Sequence, residues 1–176
     1  LNFRVFNNKA GSIDPAGSVF LGMNAGSSNT ATTNTGIGDS SLTLNTTGVQ
    51  NVAIGGYTLT RNSGNYNTAS GFGSLYLNTT GTQNTANGSY SLRNNVGGSY
   101  NTASGSYALF SNTTGSNNTA SGYQALYNNT TGQQNTALGH TALAKNVFGY
   151  NYVAIGLEAL FFNSGNNNTG IGTAAL

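Results

Sequence analysis

Residues 101–117 read NTASGSYALFSNTTGSN, residues 118–134 read NTASGYQALYNNTTGQQ, and residues 135–151 read NTALGHTALAKNVFGYN. These are three consecutive copies of one unit, and the chain aligns to itself with a period of 17 residues. Copies begin at Asn34, Asn51, Asn67, Asn84, Asn101, Asn118, Asn135, Tyr152 and Asn168. A short fixed period is typical of repeat architectures, in which each unit packs only against its neighbours.

Several columns of the unit, counted from the first residue of each copy, hardly vary. Column 5 is always Gly, and a second Gly closes each copy. Column 9 is always Leu, which predicts an apolar spine when copies stack: Leu42, Leu59, Leu75, Leu92, Leu109, Leu126, Leu143, Leu160 and Leu176. Column 12 is always Asn, which predicts a ladder of side-chain amides: Asn45, Asn62, Asn78, Asn95, Asn112, Asn129, Asn146 and Asn163. Because Asn and Gly tolerate left-handed backbone, we expect these two residue types to mark the corners of each unit.

The period decides the fold class. Helical repeats need roughly 33 to 47 residues, and Gly and Asn at fixed sites are poor helix formers. A coil of two or three short strands fits the period, with successive coils about 4.8 Å apart. The sequence therefore predicts an all-β, parallel β-solenoid of about ten 17-residue coils over residues 18–176, counting a weaker first copy from Ser18. Residues 1–17 do not match the repeat, and we expect them to form an N-terminal cap or connecting strand.

Within each coil, the segment NTAxGxxAL is the expected strand-rich half. Ala or Gly in column 3 indicates a tightly packed inward site, and alternation places columns 2 and 4 on the opposite face. Column 4 is Ile or Leu in the first and last copies and Ser or Asn in the middle ones. The sequence leaves open whether this face meets solvent, the coil interior or another subunit.

Composition and charge exclude several functions. Only 5% of residues are charged, against roughly 25% in an ordinary domain, while Gly numbers 26. The five basic residues form no cluster along the sequence, which gives nucleic-acid binding no support. No cysteine is present, which excludes disulfides and thiolate metal sites, and no apolar run approaches the 18 or so residues of a membrane span. The chain begins at Leu1 rather than Met, so we expect a processed product or a piece of something longer.

Candidate chemical groups are sparse. His140 is the only histidine and lies in a variable column, so we predict neither a catalytic role nor a metal site for it. Asp39 and Glu158 occupy different columns seven coils apart, at least ~30 Å by strand spacing, which excludes paired-carboxylate chemistry. We therefore predict that the protein is not an enzyme and uses no cofactor.

Aromatic residues recur in two columns, and two explanations are open. Column 7 holds Tyr57, Tyr90 and Tyr107, and column 10 holds Tyr76, Phe110, Tyr127 and Phe161. They either stack on one another and shield the backbone, or form a stripe that contacts a subunit or a sugar. Thr recurs in column 2 and suggests ice binding as a minor alternative, although Ala or Gly follows each Thr.

Sequons for N-linked glycosylation occur at Asn45, Asn78, Asn87, Asn112, Asn117, Asn128, Asn129 and Asn167. Two explanations are open here as well. Asn–Thr is the ordinary composition of the turns, and column 12 stays Asn where the sequon is lost. The alternative is a glycosylated fibre surface, because sequons mark exposed loops in secreted proteins.

The unit resembles repeats of two related groups. NVAIG at residues 51–55 and YVAIG at residues 152–156 resemble the head repeats of trimeric autotransporter adhesins. SGYQALYNNTTG at residues 121–132 resembles repeats of phage tail fibres and large bacterial surface proteins. The resemblance covers residues 18–176 and implies a left-handed parallel β-roll, often trimeric, used for reach and attachment.

Taken together, these features favour a structural subunit of an extracellular fibre, filament or adhesin stalk. The expected partner is the chain itself, either as a trimer or end to end, because an unpaired strand edge after Leu176 would invite another chain. The alternatives are a glycan-binding attachment module that recognises cell-surface glycans and, as a minor one, an ice-binding solenoid. The expected location is the cell surface, the extracellular space or a virion tail fibre, with no nucleic-acid partner and no membrane insertion of this segment.

Overall fold

The computed structural model describes residues 2–5, 8–163 and 165–176, which form one 12-stranded sheet. Strands β1 (Asn2–Val5) and β2 (Asn8–Ile13) pair antiparallel, and β2 pairs antiparallel with β3 (Val19–Leu21). The remaining strands are three residues long and follow in chain order: β4 (Thr35–Ile37), β5 (Val52–Ile54), β6 (Thr68–Ser70), β7 (Thr85–Asn87), β8 (Thr102–Ser104), β9 (Thr119–Ser121), β10 (Thr136–Leu138), β11 (Val153–Ile155) and β12 (Thr169–Ile171).

From β3 onward every pairing is parallel and joins identical columns. Ala103 of β8 pairs with Ala120 of β9, and Ala120 pairs with Ala137 of β10. The unbroken neighbour-to-neighbour order confirms the predicted all-β parallel solenoid, whereas each coil has one short strand instead of the two or three that the period suggested. The rest of each coil consists of turns and irregular backbone that hydrogen-bonds to the coils before and after it.

The core is a thin stack of small side chains around one leucine per coil. The column 9 leucines from Leu42 to Leu160 are at most 2% exposed. The column 3 alanines and the Ser, Thr or Ala of column 8 fill the remaining interior. Leu176 is 89% exposed, so the buried spine does not extend to it as the sequence predicted. Each buried Leu contributes about 1.5–3 kcal/mol through the hydrophobic effect, so stability depends on many coils acting together.

Left-handed backbone falls in columns that the sequence did not indicate. The column 5 glycines have φ between 124° and 142°, as expected for corner glycines. However, the ladder asparagines are absent from the positive-φ residues, whereas the column 9 leucines have φ near 50°. The prediction that Asn marks the corners was therefore wrong for the ladder asparagines, although Asn117, Asn151 and Asn167, which directly precede column 1, do have φ of 57–62°. Burial of the leucine side chain offsets a backbone cost of roughly 1–2 kcal/mol, and Asn is required for its side-chain amide instead.

Candidate functional site: two amide ladders and two exposed surfaces

The predicted column 12 ladder is present and buried. In each rung the Nδ2 donates to the Oδ1 of the coil before it, for example from Asn95 to Asn78 at 2.7 Å and from Asn112 to Asn95 at 2.7 Å. From Asn45 to Asn129 the same Nδ2 also donates to the closing glycine of its own coil, for example from Asn95 to the carbonyl of Gly98 at 2.9 Å. Asn45 through Asn129 are fully buried, so these bonds are shielded from water.

A second ladder runs along column 1, which the sequence analysis did not single out. The Oδ1 of Asn84 accepts the backbone N–H of Asn101 at 3.0 Å, and the Nδ2 of Asn84 donates to the Gly98 carbonyl at 2.9 Å. This arrangement recurs from Asn34 to Asn135. The signal was available, because column 1 is Asn in every copy except the one beginning at Tyr152.

The closing glycine lies between the two ladders. The Gly98 carbonyl accepts from Asn84 of column 1 and from Asn95 of column 12. A Cβ on Gly98 would lie 2.5 Å from the Asn95 Oδ1 and 2.7 Å from the Asn112 Nδ2, although the φ of Gly98 is not positive. At Gly98, glycine is therefore required because of space rather than backbone conformation.

The ladders are interrupted in the coil that begins at Tyr152. The phenol of Tyr152 is buried and donates to the Gly165 carbonyl, which takes the place of the usual amide bond. The Nδ2 of Asn163 is buried without a hydrogen-bond partner. The column 12 bonds thus run from Asn29 to Asn146, and the prediction that Asn163 is a rung was wrong because Tyr152 changes the local packing.

Burial divides the sequons into two groups. Asn45, Asn78, Asn112 and Asn129 are 0% exposed, and their amide nitrogens each make two hydrogen bonds. A glycan on any of these four is incompatible with the folded coil. Asn87, Asn117 and Asn167 are exposed and Asn128 is partly exposed, so glycosylation at these positions stays a prediction.

The outer face of the sheet consists of columns 2 and 4, which flank the buried column 3. Its ends are apolar, because Leu21, Ile37 and Ile54 pair in register and are 39–45% exposed. The other end carries Ile155 and Ile171, at 37% and 68% exposure. The middle coils present Thr in column 2 beside Ser or Asn in column 4. The Ala of column 3 points inward in these strands, so the residue that shares the exposed face with Thr is the Ser or Asn of column 4 rather than a second Thr.

A second exposed surface, here called the aromatic ribbon, consists of two ranks of planar side chains along the turns. The first rank has one ring in each of six successive coils, from column 6 or column 7: Tyr57, Phe72, Tyr90, Tyr107, Tyr123 and His140. Neighbouring ring centroids lie 5.2–6.2 Å apart. The second rank comes from column 10 of four coils: Tyr76, Arg93, Phe110 and Tyr127.

The ribbon shows that the aromatic residues contact one another, stacked in some pairs and edge to face in others, which is close to one of the two explanations. Phe161 lies outside the ribbon and contacts Phe162 instead. The ribbon also accounts for His140, whose ring stacks on Tyr123 at 5.2 Å. Comparing the sequence column by column does not reveal this rank, because Phe72, Tyr123 and His140 occupy column 6 in coils whose column 7 has no ring. A search for one ring per coil over both columns would have found it.

The described residues contain no group of three or more His, Cys, Asp or Glu side chains able to hold a metal ion. In the same part of the chain, no helix is long and apolar enough to cross a membrane. Comparison with known proteins finds no matching family model, no matching curated protein and no matching solved structure.

Proposed function

We propose that this chain is a structural module of an extracellular or cell-surface fibre, an adhesin stalk or a virion tail fibre. The observation that supports this most is the pair of buried amide ladders, which repeat coil after coil along one axis. Ten coils at the usual strand spacing make a rod of about 48 Å. The proposal assigns the invariant residues to stacking and includes no catalytic step or cofactor.

The outer sheet face is the surface we propose for self-association. Exposed, in-register Leu21, Ile37 and Ile54 at one end and Ile155 and Ile171 at the other would gain from burial against a second copy. The resemblance to trimeric adhesin heads favours a side-by-side trimer. A single thin coil buries little apolar surface by itself, which adds a reason for association.

Sedimentation velocity on the full chain tests this arrangement. We expect wild-type protein to sediment as a homo-oligomer. In the variant carrying both Ile54→Ser and Ile155→Ser, the protein concentration below which the oligomer dissociates should be at least tenfold higher than in the wild type. Val96→Ser is a matched control, because Val96 is 42% exposed, against 45% for Ile54, but lies outside the strands. A filament that survives both substitutions would indicate end-to-end assembly instead, and wild-type protein that stays monomeric would contradict the proposal.

Ice binding is a second candidate, favoured by one observation. From β6 to β9, Thr in column 2 and Ser or Asn in column 4 form two parallel ranks on one exposed sheet face. Thermal hysteresis in a solution of the chain, lost in a variant with Thr102→Val and Thr119→Val, would support this function. Absence of hysteresis in the wild type would exclude it.

A further inference from the structure

The basic residues of the solenoid share one edge. Residues 40–157 contain no Asp or Glu, and their three cations are Arg61, Arg93 and Lys145. Arg93 lies in column 10 and the other two in column 11. Because identical columns stack in register, these cations, which are scattered along the sequence, lie on the same edge of the solenoid as the second rank of the aromatic ribbon. The backbone N–H of Arg61 donates to the Tyr76 carbonyl, which places it next to that rank.

Arg93 is itself a member of the ribbon. The Arg93 Cζ lies 5.3 Å from the ring centroid of Tyr76, 5.8 Å from that of Tyr90 and 5.9 Å from that of Phe110. Its Nη1 donates to the Asn94 Oδ1 at 3.1 Å. A guanidinium carries five donors in one plane, and stacking on rings leaves in-plane donors for a carboxylate or sulfate. The sequence places no carboxylate nearer along the chain than Asp39 and Glu158.

Two shallow depressions follow the ribbon, each with a cation in its lining. The first has a volume of about 280 Å³ and is lined by Tyr90, Arg93, Tyr107 and Phe110. The second, of about 250 Å³, has Tyr127 and Lys145 in its lining. Arg61 and Arg93 lie two coils apart, which corresponds to about 10 Å along the axis. Arg93 and Lys145 lie three coils apart, which corresponds to about 14 Å. The rings of the aromatic ribbon and the widely spaced cations therefore follow the same line along the solenoid axis.

We propose that the aromatic ribbon binds an acidic polysaccharide lying along the solenoid axis. Its sugar rings would pack on the tyrosines, and its carboxylate or sulfate groups would pair with Arg93 and Lys145. Cations this sparse suit a polymer whose charges are separated by one or more sugars. A nucleic acid carries a phosphate on every nucleotide and calls for a denser basic groove. A second copy of the chain offers only three carboxylates to the same surface. The proposal goes beyond the fibre proposal and does not depend on it.

Binding of fluorescently labelled hyaluronate, which carries one carboxylate on every second sugar, to the full chain tests the ligand class. We expect saturable binding that weakens as salt is raised, and about tenfold weaker binding of the methyl-esterified polymer, which keeps the sugar backbone but loses the charge. Two results would overturn the proposal: no binding of the acidic polymer, or equal binding of its ester. Tighter binding of a single-stranded oligothymidylate would also overturn it in favour of nucleic acid.

Substitutions test the location of the site. Arg93→Gln and Lys145→Gln should each weaken hyaluronate binding, by about tenfold for Arg93, because each removes a charged hydrogen-bond donor. Arg4→Gln is the matched control, since it removes the same charge from β1, outside the coils. Lys145 is exposed, so Lys145→Gln keeps the test valid even if Arg93→Gln perturbs the stack. Wild-type binding by both variants, or an equal loss in Arg4→Gln, would place the ligand elsewhere.

Discussion

At the scale of single residues, the ladder positions require asparagine because its short side chain ends in an amide that is both a hydrogen-bond donor and an acceptor. In the column 12 ladder the Asn95 Nδ2 donates to Asn78 while its Oδ1 accepts from Asn112. A carboxylate has acceptors only, and a longer side chain would not fit a fully buried site. Each amide also fixes the closing glycine of its own coil, so one residue type both stacks the coils and closes them.

Replacing one ladder amide with a carboxylate should be strongly destabilising. Asn95→Asp would set an acceptor against the Asn78 Oδ1 and the Gly98 carbonyl in a site with no exposure. We expect a loss of about 3–5 kcal/mol in the free energy of unfolding at neutral pH, measured by urea denaturation. Asn117→Asp makes the same chemical change at an exposed position and should cost under about 0.5 kcal/mol. Equal losses in the two variants would show that the ladder is not the stabilising element.

Adjacent glycines provide a second test at this scale. Gly98→Ala would bring its Cβ within 2.7 Å of the Asn112 Nδ2 and closer still to the Gly115 carbonyl oxygen. For Gly97→Ala the one contact within 4 Å is 3.4 Å, to the Thr80 Oγ1, and neither residue has a positive φ. We expect a clear drop in Tm for Gly98→Ala and little change or a small rise for Gly97→Ala. The reverse order would contradict the packing of the closing glycine.

At the scale of a coil, sequence columns predicted stacking well and side-chain partners less well. The 17-residue period, the Leu of column 9 and the Asn of column 12 were sufficient for the parallel solenoid, because identical residues at a fixed spacing leave few other ways to pack. The first-rank rings were missed because neighbouring coils supply them from column 6 or column 7. The interruption at Tyr152 was also missed, since one ring replacing one amide changes the hydrogen bonds of Gly165 and Asn163 in the same coil.

The coil of Tyr152 is expected to be the weak point of the rod, and restoring the repeat should strengthen it. Tyr152→Asn restores the column 1 amide and should let the Asn163 Nδ2, which lacks a partner, rejoin the ladder. We expect a gain of about 1 kcal/mol in the free energy of unfolding. A lower stability than the wild type would mean that the cavity left by the ring outweighs the restored bonds.

The same position predicts a pH dependence. Burial raises the pKa of the Tyr152 phenol above its ordinary value of 10.0, so the folded state favours the neutral form. The resulting contribution to stability is complete below about pH 10 and is lost as pH rises through the folded-state pKa. Chemical denaturation from pH 8 to pH 11 should therefore show a smaller decline for Tyr152→Asn than for the wild type. Parallel declines would contradict this assignment.

At the scale of the whole molecule, the chain combines a uniform interior with surfaces that differ along its length. The coils from Leu42 to Leu160 repeat the same buried Leu with the same left-handed backbone, whereas the outer sheet face is apolar at its ends and polar in the middle. A quasi-one-dimensional solenoid permits this, because surface columns vary without changing the contacts between coils. Handedness and assembly stay predictions, since they depend on the resemblance to adhesin and tail-fibre repeats.

Cryo-electron microscopy of the native assembly tests the central proposal most directly. A structural fibre module should form elongated rods in which identical columns stack along the axis with a rise of about 4.8 Å per coil. The density should show the outer sheet faces of neighbouring copies in contact and the aromatic ribbon facing outward. A field of discrete monomers under native conditions would contradict the proposal.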